Sequence, residues 1–203
     1  MKALPKVLGL VALFCVVITA GGCLLEEKVV EMVFSGETCA GFEEDHATGD
    51  FSSESILAYG QEILDILNDN GFDRDDIAQA FVMGGSYEVT DFEHSHDWTV
   101  SGAVFVERVG GIADPDTLLK YTSQPLSEAL DNQIWAELHG DGVDLLNTAL
   151  EDFLGGALPI LRFTVENGTT TPEPTSSDRI VFDWETCIKL HLIYVEEFEF
   201  PDP

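Results

Sequence analysis

Positive charge is what this 203-residue chain has least of. Lysine and arginine together number nine against 38 aspartate and glutamate residues, so the formal net charge is −29 at pH 7. Nucleic acids and anionic lipid headgroups carry negative charge and would be repelled by such a chain. We therefore expect no nucleic-acid partner and no direct binding to an acidic membrane surface.

The sequence also lacks the motifs that mark common enzyme classes. It contains no Gly-x-Ser-x-Gly nucleophile motif. Its glycine pair Gly155-Gly156 follows a helical pattern, whereas a phosphate-binding loop precedes a helix. A catalytic carboxylate pair cannot be selected among 38 acids by their positions alone. The motifs therefore name no activity and no catalytic residue.

The first 23 residues have the layout of an export signal. Lys2 and Lys6 form a basic start, residues 7–18 are almost entirely apolar, and the small residues 20–22 lead directly to Cys23. The segment resembles a bacterial lipoprotein signal, which implies cleavage before Cys23 and a lipid on its sulfur. We expect residues 1–22 to be a signal peptide, residues 23–203 a single domain on a short tether, and the lipid to hold the protein at the membrane of the bacterial cell envelope.

Two other interpretations of this segment stay open. With Leu24 and Leu25 the apolar stretch approaches the roughly 20 residues that a membrane span needs, so it could be a retained anchor. The glycines before Cys23 and the change to Glu26-Glu27 argue against a span. The other alternative is an ordinary secreted protein.

Cysteine is scarce as well, with four in the chain. Cys15 lies in the signal and Cys23 is the lipidation candidate, which leaves Cys39 and Cys187. In an exported protein two remaining cysteines are most simply a disulfide. Such a bond would make the first strand region and the last long strand neighbours. The alternative is two free buried thiols.

Hydrophobic patterns along the chain predict a mainly β domain with helical insertions. Strand-like patterns cover five segments: 28–34, 79–92, 98–109, 158–166 and 179–198. Helical patterns begin at Ser52 or Ser53 and end at Gly71, begin again at Asp114-Pro115-Asp116, and run over 143–154. Residues 41–50 are acidic and predict a loop. The fold class expected is an antiparallel β-sandwich carrying two or three helices.

A second resemblance concerns the domain itself. Ile63-Leu-Asp-Ile-Leu, Gly71-Phe-Asp and Asp76-Ile-Ala-Gln-Ala, followed by a strand, resemble β-sandwich domains of bacterial surface lipoproteins of unknown role. The resemblance implies a fold, and no catalytic residue is carried over from it.

One short cluster has the chemistry of a metal site. Glu93, His94, His96 and Asp97 combine two imidazoles with two carboxylates, and residues 94 and 96 would point the same way in a strand. A transition metal or calcium is the cofactor that such a cluster would hold. The simpler interpretation is an exposed polar connection within a hairpin, which would need no cofactor.

The expected function is non-enzymatic: a lipid-anchored envelope protein that presents a β-sandwich for binding or assembly. Its partner would be an envelope protein or a glycan, and Trp98, Trp135 and Trp184 could line a carbohydrate groove. A tryptophan on a long strand, such as Trp184, is more often a core residue. The alternative is a metal-dependent or carboxylate hydrolase on the same scaffold, which a pocket with converging acids or histidines would favour.

The charge leads to a first prediction. Without Lys2 and Lys6, seven basic residues face 38 acidic ones, a formal charge of −31. Folding brings these acids together, so NaCl should raise the melting temperature as the screening length falls from about 8 Å at 0.15 M to about 3 Å at 1 M. Melting curves in NaCl and CaCl₂ of matched ionic strength should coincide if the acidity is a diffuse solvated surface. Additional stabilisation by calcium, about 2.7 kcal/mol at a hundredfold excess over its Kd, would instead show specific carboxylate sites.

Overall fold

The computed structural model describes residues 28–93 and 97–198, so the signal segment and Cys23 lie outside the described residues. The described part is a mainly β structure, as expected. Its strands are β1 Lys28–His46, β2 Asp50–Leu57, β3 Ile77–Glu93, β4 Thr99–Arg108, β5 Asp116–Pro125, β6 Ile134–Ala136, β7 Leu161–Thr171 and β8 Ile180–Phe198. Its helices are α1 Tyr59–Asp69, α2 Leu126–Ala129 and α3 Gly140–Leu154, with a 3₁₀ turn at Arg74–Asp76.

The strands form two four-stranded antiparallel sheets. The first sheet has the order β1-β8-β3-β6 and the second the order β2-β7-β4-β5. β8 pairs with β1 from Lys28 opposite Phe198 to His46 opposite Ile180 and with β3 on its other side. The predicted class, an antiparallel β-sandwich with helical insertions, is therefore confirmed. No helix among the described residues has the length and apolarity that a membrane crossing needs.

The register of β1 on β8 places the two remaining cysteines opposite each other. Cys39 and Cys187 form a disulfide with their Cα atoms 4.1 Å apart. The predicted bond is confirmed, and with it the predicted neighbourhood of the first and last strands. In the chain-entropy account, closing a loop of this length stabilises the fold by about 4 to 5 kcal/mol.

The core lies between the first sheet and a second layer made of the other sheet and two helices. Alternate side chains of β8 face inward, since side chains in a strand point to opposite faces. The inward members are all buried: Phe182, Trp184, Thr186, Ile188, Leu190 and Leu192. α3 packs against β3 and β5 through a buried stripe that comprises Leu146, Ala149, Leu150 and Phe153. On α3, Asn147 Oδ1 accepts a 2.9 Å hydrogen bond from the Val82 amide, at the β-bulge between Val82 and Gly84.

The second half of the predicted first helix is confirmed, but its start is wrong. α1 buries Tyr59, Ile63 and Leu67 and ends before Gly71, whose φ of +77° favours glycine. Ser52 and Ser53 do not cap a helix, because they lie in β2, which pairs with β7. Tertiary pairing outweighs the helix-capping tendency of serine here.

Three other expectations from the patterns need correction. Most of the acidic segment 41–50 is not a loop, because β1 continues to His46 in register with β8, and only residues 47–49 connect it to β2. Asp114-Pro115-Asp116 does not start a helix, since residue 116 begins β5, which pairs with β4. β3 and β4 do not form a hairpin with each other, because they belong to different sheets. In each case the pairing of strands within the sheets decides the local structure.

A buried carboxylate and the cleft beside it

The structure describes only part of the predicted metal cluster. His94 and His96 lie outside the described residues, Glu93 is the last residue of β3, and Asp97 accepts a 2.8 Å hydrogen bond from Ser127 Oγ. Within the described ranges, one set of three possible ligands converges: Cys39, Glu185 and Cys187. Its two sulfurs are joined in the disulfide, so they offer no thiolate to a metal.

The three tryptophans do not share a groove. Trp98 and Trp184 are core residues with exposed fractions of 1% and 5%, so the expected core role of Trp184 is confirmed. Trp135 on β6 is 59% exposed, with the Lys189 ammonium 5.2 Å from its ring centroid. A carbohydrate groove lined by all three side chains is therefore wrong.

Glu44 is the most unusual side chain of the core. It is only 2% exposed, and acidic side chains are rarely buried without partners. The alternation of β1 explains its direction, since the buried Phe42, two residues earlier, lies on the same face of the strand. Sequence reasoning missed this residue because it treated the surrounding acidic stretch as a solvated loop.

Three side chains bind the Glu44 carboxylate. Its Oε1 accepts hydrogen bonds from Ser53 Oγ on β2 and, at 3.3 Å, from Trp184 Nε1 on β8. Its Oε2 lies 2.6 Å from His46 Nε2. The carboxylate thus links a strand of the second sheet to two strands of the first. Hydrogen bonds to a charged group, together with a paired imidazole, offset the cost of removing it from water.

Tyr121 on β5 extends this buried polar region. Burial raises the pKa of the Tyr121 phenol well above its usual value, and the charges of Glu44 and Tyr87 raise it further. Its hydroxyl has no hydrogen-bond partner among the described residues. Tyr121 borders an apolar cavity of about 20 Å³, which has room for about one water molecule.

The arrangement around Glu44 differs from that of a serine hydrolase. In a catalytic triad the imidazole lies between the hydroxyl and the carboxylate and takes the proton of the hydroxyl. Here the carboxylate lies between Ser53 and His46, so the hydroxyl donates to Glu44 and not to the imidazole. The geometry serves to neutralise and position a buried acid.

A surface cleft of about 560 Å³ opens beside His46. The end of β1, the start of β2 and a segment of β7 form its wall, through His46, Asp50, Phe51, Ser52, Asn167 and Thr169, with Gly168 between the last two. The His46 ring stacks on Phe51 at a centroid distance of 5.0 Å. A Cβ at position 168 would lie 2.7 Å from ring atoms of Phe51, so only glycine fits beneath this ring.

An ion pair flanks the cleft at the end of β1. Arg179 Nε donates a 2.7 Å hydrogen bond to Asp45 Oδ1, and its Nη2 donates to the Asp45 carbonyl at 3.0 Å. The hydrogen bond from Arg179 holds the pKa of the exposed Asp45 carboxyl below its usual value. The arginine is therefore already bound to Asp45 and is not among the residues that line the cleft.

On the face of the first sheet that points away from the core, acidic residues lie directly opposite each other on neighbouring strands. Asp183 of β8 is in register with Glu43 of β1 and with Asp91 of β3, and Glu185 is in register with Glu88. Like charges directly opposite each other destabilise a sheet. These rows are a physical basis for the salt dependence expected above.

No model of a protein family matches the chain, and no curated protein matches it significantly.

The Glu44 cluster leads to a second prediction. Glu44→Ala should lower the free energy of unfolding by about 2 to 4 kcal/mol, because it leaves the Ser53 hydroxyl and Trp184 indole without an acceptor and His46 without its carboxylate. Glu44→Gln keeps one acceptor oxygen, so it should lower the free energy of unfolding by less than Glu44→Ala does. Urea unfolding followed by tryptophan fluorescence measures both.

The matched control is Glu43→Ala, one residue earlier on the same strand. Glu43 is exposed and faces Asp183, so removing its charge should leave stability unchanged or raise it slightly. If Glu43→Ala and Glu44→Ala lowered the free energy of unfolding equally, the role assigned to the buried Glu44 carboxylate would be contradicted.

Proposed function

We propose that this is an exported lipoprotein, held in the bacterial cell envelope through lipid on Cys23, that presents its β-sandwich for non-enzymatic binding or assembly. The basic start, the apolar run and the small residues before Cys23 support the lipid anchor.

The observation that carries the proposal is the Cys39–Cys187 disulfide. Disulfides persist in oxidising compartments and are rare in the reducing cytosol. A disulfide that staples the first strand to the last one fits a domain that folds after export. The disulfide and the N-terminal segment are different parts of the chain, and both support a location outside the cytosol.

The position where β1 starts limits how far the sandwich could lie from a membrane to which Cys23 is anchored. β1 begins at Lys28, so four residues separate it from Cys23. The five residue steps from Cys23 to Lys28 span at most about 18 Å when extended. A lipid on Cys23 would thus hold the domain close to the membrane, while its acidic surface is repelled by anionic headgroups.

The cleft beside His46 supports a binding role over the hydrolase alternative. Its volume is in the range of small-molecule sites, and polar side chains line much of it. Ser52, the serine that lines the cleft, has no hydrogen bond to His46 among the described residues, and His46 Nε2 is bound to Glu44, so the two do not form a nucleophile and base.

The anchor leads to a third prediction. Cys23→Ala should abolish incorporation of a clickable fatty acid, because the substitution removes the thiol that carries the lipid. Gel fluorescence of cells expressing either form measures incorporation, and the variant should accumulate as precursor or be released by another cleavage.

Cys15→Ala is the control for loss of a cysteine elsewhere, since it leaves the Cys39–Cys187 disulfide intact, and it should label like the wild type. Equal labelling of Cys23→Ala and the wild type would refute the lipid anchor.

A further inference from the structure

We propose that the cleft beside His46 binds a neutral carbohydrate. This inference rests on the binding role proposed above and names the ligand class. The cleft volume of about 560 Å³ falls within the roughly 300 to 1,000 Å³ typical of small-molecule sites. A site for a sugar needs several hydrogen-bonding groups that are not already paired.

The cleft provides such groups on two strands. Within the described ranges, the side chains of Asp50, Ser52, Asn167 and Thr169 make no hydrogen bond or ion pair with another residue. Hydroxyls and the amide can both donate and accept, whereas the Asp50 carboxylate accepts. The four side chains therefore match a ligand that carries both donors and acceptors at short spacing.

His46 adds a further hydrogen-bonding atom. Its Nε2 lies 2.6 Å from Glu44 Oε2, so this nitrogen is already bound to the carboxylate. The other ring nitrogen, Nδ1, has no hydrogen bond to another residue in the described part of the chain. Glu44 thus fixes the ring orientation from below, as a carboxylate does for a functional imidazole.

The backbone around the cleft is held before any ligand arrives. The Thr170 amide donates a 2.8 Å hydrogen bond to the Gly49 carbonyl, which ties the turn between β1 and β2 to β7. Phe51 packs between His46 and Gly168 and closes the floor. A preformed site lowers the ordering cost of binding a small polar ligand.

Charge and hydrogen-bond chemistry select the ligand class. Asp50 in the wall and Glu44 behind His46 make the cleft negative, and its lining among the described residues includes no lysine or arginine, so anionic sugars are disfavoured. A simple cation would satisfy the acceptors but leave the donors of Ser52, Asn167 and Thr169 unmatched. A neutral sugar presents hydroxyls that serve both kinds of group.

Saturation-transfer difference NMR on the full chain, purified in detergent from whole-cell lysate, tests this inference. The probes are the methyl glycosides of glucose, galactose, mannose and N-acetylglucosamine, with glucuronate as the anionic sugar and arginine amide as the cation. We expect saturable transfer to at least one neutral glycoside and at least about tenfold weaker binding of glucuronate, the factor that 1.4 kcal/mol corresponds to.

Two variants assign binding to the cleft. Asp50→Ala and Thr169→Val should each weaken binding on the order of tenfold, as the loss of one hydrogen bond to a ligand implies. Asp75→Ala makes the same chemical change as Asp50→Ala on the exposed 3₁₀ turn and should bind like the wild type. Melting curves of each variant establish that the fold is kept, and Thr169→Val serves where Asp50→Ala does not fold.

Three results would overturn the proposal: no transfer to any neutral glycoside, binding that both cleft variants retain, or binding of arginine amide alone. None of them would affect the lipid anchor, which fatty-acid labelling at Cys23 tests separately. Conversely, if Cys23 were not labelled by the fatty acid, the NMR experiment would still show whether the cleft binds a sugar.

Discussion

The pairing of β8 on both of its sides is the interaction on which the rest of the structure depends. β8 holds β1 along its whole length on one side and β3 on the other, so the beginning, middle and end of the described chain meet in one sheet. Its inward residues then provide the surface on which the second sheet packs. The Cys39–Cys187 bond lies within this pairing, where it fixes the edge strand to the central one.

The same pairing creates the candidate site. Since β1 stays in register with β8 to His46, the alternation of the strand turns Glu44 inward and brings His46 to the rim. Ser53 of the second sheet and Trp184 of β8 then meet at one carboxylate. A buried charge with three partners from both sheets favours one relative placement of the sheets, because any other placement leaves the charge uncompensated.

Three features could be predicted from the sequence. Strand alternation indicates the fold class, the two cysteines left after the signal peptide indicate the disulfide, and a glycine at the helix end indicates where α1 stops. Sequence reasoning missed β5 and the start of β2, where proline and serine resemble helix starts but pairing with β4 and with β7 keeps the chain extended. It also missed Glu44. A carboxylate among acids predicts solvent exposure, and only the register on β8 shows that it faces Trp184. His94 and His96 lie outside the described residues, so their metal site stays a prediction.

Amide hydrogen exchange followed by mass spectrometry tests most directly whether β8 organises the fold. Segments in the most highly connected part of a structure exchange only when the whole domain unfolds. Peptides that cover β8 should therefore be the slowest to exchange, and their rates should follow the global free energy of unfolding as urea is added. Slower exchange in β4 and β7 of the second sheet than in β8 would contradict the account, because the second sheet would then stay folded while the strand assigned the central role opens.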